Sequence, residues 1–121
     1  MANELILIVE DNAKNLKLVR DTLQVQTIEA ETGEEGVRLA HERQPALILM
    51  DIQLPGISGI DALKQLRADS ETRAIPVIAV TASVMTQDQT RIMAAGFDGY
   101  HGKPISVRQL LTTVREILDK R

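Results

Sequence analysis

Three continuous apolar runs mark the chain: Leu5-Ile6-Leu7-Ile8-Val9, Ala46-Leu47-Ile48-Leu49-Met50, and Ile75-Pro76-Val77-Ile78-Ala79-Val80. Runs of this length without polar alternation read as strands covered on both faces, and a proline is tolerated where such a strand starts. Two weaker strands are expected at residues 27–30 and about 98–102, the latter poor in strand formers because of Gly99 and Gly102.

Between the runs, apolar residues recur at helical spacing. Asn12 is a candidate cap for a helix carrying Leu16, Val19 and Leu23. Thr32-Gly33-Glu34-Glu35 opens a second helix with carboxylates in its first turn, Val37 and Ala40 facing inward, and an end near Gln44 imposed by Pro45. Ser58 caps a third helix with Ile60, Leu63 and Leu66 on its apolar side, and a fourth runs over about residues 86–95 to Gly96. The last is the cleanest: after Ser106 as cap, Val107, Leu110, Leu111, Val114, Ile117 and Leu118 form one stripe. Only the link Gln24-Val25-Gln26 is irregular, having no glycine or proline to stop the first helix.

Strand and helix thus alternate five times, which predicts an α/β protein, doubly wound, with a parallel sheet covered on both faces. Right-handed crossovers then put the C-terminal end of every strand on the same edge. At 121 residues this is a single domain over 1–121, and with 44% hydrophobic and 26% charged residues it is a folded one. No cysteine is present, which excludes disulfides, thiolate metal sites and thiol catalysis. The net charge of -3, without a Lys/Arg cluster, speaks against nucleic acid as partner. No stretch approaches the roughly 20 apolar residues that span a bilayer, and the N-terminus is unlike a signal peptide, so no membrane and a cytoplasmic location are expected. The initiating methionine favours a complete short protein.

What collects at the shared edge decides the chemistry. Glu10-Asp11, Asp51, Thr81 and Lys103 each stand just past a strand. Three converging carboxylates repel one another unless some protonate or a cation neutralises them. An all-oxygen pocket without Cys or clustered His suits a hard cation such as Mg²⁺. One carboxylate can then act as nucleophile towards phosphorus, with a lysine and a hydroxyl donating to the phosphoryl oxygens.

Val9-Glu10-Asp11-Asn12, Leu49-Met50-Asp51-Ile52-Gln53-Leu54-Pro55, Gly59, Val80-Thr81-Ala82 and Lys103-Pro104 together closely resemble, in order and spacing, the receiver domain of two-component response regulators, and most of all its single-domain members. The resemblance covers nearly the whole chain. It implies a flavodoxin-like (βα)5 fold with strand order 2-1-3-4-5. It implies that Asp51 accepts a phosphoryl group from a histidine kinase or histidine phosphotransferase. Mg²⁺ would be held by the carboxylates of Asp11 and Asp51 and the backbone carbonyl of Gln53, with Glu10 holding metal-bound water. Lys103 would pair with the phosphoryl group, ahead of a cis bond to Pro104. Thr81 would move towards the phosphoryl oxygen and Tyr100 would turn inward with it, changing the face made by the fourth helix, fifth strand and fifth helix, where a downstream protein docks. Gln53 and Ser83 would tune hydrolysis. Such a protein is not an enzyme beyond its own phosphorylation and dephosphorylation.

Other readings compete. A dehalogenase-like phosphatase needs a second aspartate where Gln53 stands. A flavin carrier needs a phosphate-cradling loop after the first strand and aromatic residues to stack, whereas the chain has one Phe, one Tyr and no Trp. A pseudo-receiver that only binds proteins sits poorly with the intact acidic set. A receiver cut from a hybrid kinase stays open as an alternative. His41 and His101 have no partner at metal spacing and read as structural.

Overall fold

Five strands and five helices alternate among the residues that the computed structural model describes, namely 5–23, 26–82, 86–103 and 106–119. They are β1 (Leu5–Val9), α1 (Ala13–Leu23), β2 (Gln26–Ala30), α2 (Gly33–Arg43), β3 (Leu47–Asp51), α3 (Gly59–Ala68), β4 (Val77–Thr81), α4 (Thr86–Ala95), β5 (Gly99–Gly102) and α5 (Val107–Asp119). All pairings are parallel and the sheet order is β2-β1-β3-β4-β5, as the resemblance implies. Gln24, Val25, Ser83 and Pro104, and with the last the Lys103–Pro104 bond, lie outside the described residues.

Because strand side chains alternate between faces, the apolar runs supply two cores. Leu7, Val9, Ile48, Met50, Val77 and Ala79 meet Ala40, Ala62, Leu63, Leu66 and Ile92 of α2, α3 and α4. Ile6, Ile8, Leu47, Leu49 and Ile78 meet Leu16 and Val19 of α1 and the Leu110, Val114 and Leu118 stripe of α5. Each fully buried Leu or Ile contributes about 2 kcal/mol of transfer free energy, so the continuous runs hold both layers at once.

Boundaries differ slightly from the sequence expectation, for local reasons. β2 starts at Gln26, not Thr27, because Gln26 pairs with Leu5. β4 starts at Val77: Ile75 is turned away by a bond from its N–H to the Thr72 carbonyl (3.1 Å). Asp51 and Thr81, expected just past their strands, are the last residues within them. Thr32 and Ser58 cap α2 and α3, each accepting at 3.1 Å from the backbone N–H three residues on. α2 stops where expected, with Gln44 in the left-handed region (φ 47°) and its side chain donating to the Ala40 and His41 carbonyls.

One side chain fastens the sheet edge opposite the strands' C-terminal ends. Arg67, near the end of α3, donates to the carbonyls of Arg73 (2.9 Å), Ile75 (2.7 Å) and Gly96 (3.2 Å) and to Asp98 Oδ2 (3.1 Å). The same Asp98 oxygen accepts from Val77 N–H at 2.8 Å, so one guanidinium ties the starts of β4 and β5 to the end of α4. Hydrogen bonds from a charged donor are worth more than neutral ones, even after discounting for partial exposure. Arg67→Met, which keeps the stem, should therefore cost about 2 kcal/mol in urea unfolding. A loss below about 0.5 kcal/mol, the size of an ordinary surface change, would show that the clasp is ornamental.

Candidate functional site

β1 lies between β2 and β3, so the chain leaves the C-terminal ends of β1 and β3 towards opposite faces of the sheet. Such a reversal opens a crevice just beyond those strand ends. Glu10 follows β1 with its N–H bonded to the Ala30 carbonyl (2.9 Å), and Asp51 closes β3. Both are 3% exposed, while Asp11 beside them is open to solvent. One oxygen from each of Glu10, Asp11 and Asp51 falls within 4.8 Å of the other two.

Lys103 enters from the end of β5, anchored by its N–H to the Thr81 carbonyl (2.8 Å). Its ammonium stands 3.0 Å from Asp51 Oδ2 and 3.1 Å from Glu10 Oε1. The remaining lone pairs are used locally: Asp51 Oδ1 accepts from Gln53 N–H (3.1 Å) and Glu10 Oε2 from Asn12 N–H (3.2 Å). Burial pushes the Glu10 carboxyl above its usual range, and the Asp51 charge adds to the rise, with Lys103 opposing both. For Lys103 burial works downward, but the bonds to Asp51 and Glu10 outweigh it and the net shift is upward. Counted formally, the cluster sets three carboxylates against one ammonium, which invites a further cation.

Glu10, Asp11, Asp51 and Lys103 are therefore brought together. Thr81 is buried (2% exposed) at the end of β4, next to β3 in the sheet. Tyr100 is half-buried on β5 and packs against the core on the α3 side. His101 donates to or accepts from Thr113 Oγ1 at 3.0 Å, and burial lowers its basicity. His41 has a partner that its sequence surroundings do not reveal: Asp69 Oδ2 at 2.8 Å, which joins α2 to the end of α3. Neither histidine belongs to the cluster of possible metal ligands found among the described residues.

Two residues matter more here than their sequence contexts indicate. Gly59 comes so close to the end of β3 that a Cβ on it would stand 2.3 Å from the Asp51 carbonyl oxygen. Arg91 of α4 lines the same cleft as Asp11, Ile52, Gln53 and Ser58. Gly59 belonged to a matched signature without a stated role, whereas Arg91 sits in a polar helix with no distinguishing neighbour.

The donor set fits Mg²⁺. It offers three carboxylates with one oxygen each within 4.8 Å of the other two, no sulfur or imidazole, and an exposed member through which a hydrated ion could enter.

Comparison with known proteins is consistent in every direction. The response regulator receiver domain family model matches residues 6–115. The polar-differentiation response regulator DivK of Brucella ovis is 47% identical over 116 residues, which is 93% of this chain and 94% of that protein. The receiver domain of the sensor histidine kinase PA1611 from Pseudomonas aeruginosa PAO1, solved with a magnesium ion coordinated in its active site cleft, superposes with a TM-score of 0.89. It is 30% identical and covers 98% of this chain and 99% of that one. A putative response regulator from Chloroflexus aurantiacus J-10-fl superposes at TM-score 0.90 with 26% identity, covering 96% of this chain and 98% of that one.

Proposed function

This chain belongs to the response regulator receiver family of two-component signalling, and from that premise we propose that it is a switch phosphorylated on Asp51. The observation that carries the proposal is the setting of Asp51: 3% exposed, at a strand end, 3.0 Å from the Lys103 ammonium, with two more carboxylates beside it. A structural aspartate gains nothing from like-charged neighbours.

The donor is a phosphohistidine on a histidine kinase or histidine phosphotransferase. An Asp51 Oδ forms the new bond to phosphorus while the P–N bond breaks, and the departing imidazole keeps the electron pair and takes a proton. Asp11, Asp51 and the Gln53 carbonyl would hold Mg²⁺, with Glu10 on its water, and when bound the ion neutralises charge on the phosphoryl oxygens. Lys103 needs little movement, since its ammonium is already within bonding distance of Asp51 Oδ2. Thr81, on the neighbouring strand end, donates its hydroxyl to the phosphoryl group, and Tyr100 follows it inward. The signal leaves through α4, β5 and α5 to a downstream protein in the cytoplasm. The protein acts on no external substrate; transfer and hydrolysis both take place on its own carboxylate. No helix among the described residues is long and apolar enough to cross a membrane.

Incubation with Mg²⁺ and acetyl phosphate should add the mass of one phosphoryl group, labile to base. EDTA and Asp51→Asn should each abolish the gain. No gain in the wild type, or a gain that survives in Asp51→Asn, would leave the pseudo-receiver reading as the better one.

A further inference from the structure

The cleft that reaches the acidic cluster has a volume of about 540 Å³ and is lined by Asp11 and Gln53 and also by Arg91 of α4. Arg91 also lines the adjoining groove between α3 and α4, together with Ser58 and Lys64. Its side chain is exposed and makes no ion pair among the described residues. Lys103, the cation inside the site, is differently placed: its side chain is 22% exposed and committed to two carboxylates. It can clamp a phosphoryl group that has arrived, but it presents little positive charge to solvent.

That division leaves an electrostatic problem at the mouth. A phosphodonor is an anion, and the first charges it meets are those of the carboxylate cluster, Asp11 foremost because it is exposed. Low-dielectric cleft walls focus such fields and alter local concentrations of charged ligands by tens of fold in strong cases. A cation lining the same cleft as Asp11 counters this repulsion for the donor and acts against Mg²⁺, the other species that must enter.

We propose that Arg91 is a positioning residue for phosphorylation, drawing the dianionic phosphodonor into the cleft lined by Asp11, Gln53 and Ser58. The proposal rests on Asp51 as phosphoacceptor. Arg91 does not touch the reacting atoms before the donor arrives, so its effect falls on the donor concentration giving half-maximal rate, with the limiting rate little changed. The preference is for doubly over singly charged donors, because the attraction scales with donor charge.

The test uses the full chain with Mg²⁺ at low ionic strength, following phosphorylation by acetyl phosphate (a dianion at neutral pH) and by phosphoramidate (a monoanion). Arg91→Gln should raise the half-saturating acetyl phosphate concentration about threefold, Arg91→Glu about tenfold, and Arg91→Lys should restore most of the wild-type value. The shift should be smaller with phosphoramidate and should fade near 0.5 M salt, as expected for exposed charges. Mg²⁺ affinity, measured calorimetrically without donor, should move the opposite way and tighten about twofold in Arg91→Gln. A general disturbance of the fold would weaken both ligands. Unchanged donor dependence in Arg91→Glu, a loss that persists in high salt, or Mg²⁺ binding that weakens alongside would overturn the proposal while leaving Asp51 as acceptor. Absence of any phosphoryl gain in the wild type would overturn both.

Discussion

Gly59→Ala is expected to destabilise the protein by about 3 kcal/mol or more and to slow phosphorylation of Asp51 at the same time. The added methyl would lie 2.3 Å from the Asp51 carbonyl oxygen, 2.9 Å from Ile52 Cα and 3.1 Å from the Asp51 carbonyl carbon. Every one of these is backbone, so no side chain can rotate away. Gly59 N–H also donates to the Ile52 carbonyl at 2.9 Å, which fixes the first turn of α3 against the end of β3. Relief requires moving α3 or the strand end, and the strand end carries Asp51, the proposed phosphoacceptor. Gly99→Ala is the control, since its Cβ would meet nothing within 4 Å, and it should stay within about 0.5 kcal/mol of wild type. Urea unfolding of the two variants, with acetyl phosphate kinetics on each, separates crowding at the site from the general cost of losing a glycine. A Gly59→Ala protein as stable and as reactive as wild type would mean that α3 is not seated on the Asp51 end of β3 in the way the geometry requires.

The sheet and its wrapping were legible in the sequence because continuous apolar runs and helical stripes report burial directly. Leu47-Ile48-Leu49-Met50 must be covered on both faces, and the two cores confirm it. The caps Thr32 and Ser58 were legible because capping is local, reaching only three residues along the chain. The acidic edge was legible for a topological reason: right-handed crossovers bring all strand ends to one side, whatever the loops do between them.

What stayed hidden depends on separations that no local pattern encodes. Lys103 and Glu10, 93 residues apart, were expected at one edge, but the direct bond of the ammonium to the Glu10 carboxylate was not. The Arg67 clasp reaches 29 residues to Gly96 and 31 to Asp98, and the His41–Asp69 pair spans 28, so neither follows from helical or strand periodicity. Gly33 and Gly36 are buried in α2, where the sequence offered only Val37 and Ala40 as an inner face; at both positions a Cβ would meet a neighbouring side chain at 2.7 Å. Close approach of this kind is a property of the packed layers, and a glycine in a helical stretch carries no mark of it.

Lys103→Met should be the most damaging change of a charged side chain, by about 2–3 kcal/mol at neutral pH without Mg²⁺, and the deficit should depend on pH in a defined direction. Removing one partner of a buried ion group leaves the others without compensation, which usually costs more than the pair contributes. Here two carboxylates, each 3% exposed, would face one another and the nearby Asp11 with no ammonium between them. Lys103 is what holds the Glu10 carboxyl down against burial and the Asp51 charge, so its loss sends the Glu10 value further up. An acid whose folded value lies above its ordinary 4.5 is protonated in both states at low pH and destabilises the fold only as pH rises past that value. The deficit of Lys103→Met should therefore be small near pH 4.5 and grow towards pH 7, the reverse of a simple packing loss, which would be flat. Glu10→Gln in the Lys103→Met background should recover most of the lost stability, because it removes the charge that the methionine leaves stranded. Saturating Mg²⁺ should narrow the gap as well, since a cation at the proposed Asp11 and Asp51 site would replace part of what the ammonium supplied. Thermal unfolding across that pH range, with EDTA and with Mg²⁺, reads all three effects. A pH-independent deficit would locate the role of Lys103 in packing and would uncouple the lysine from the carboxylate cluster.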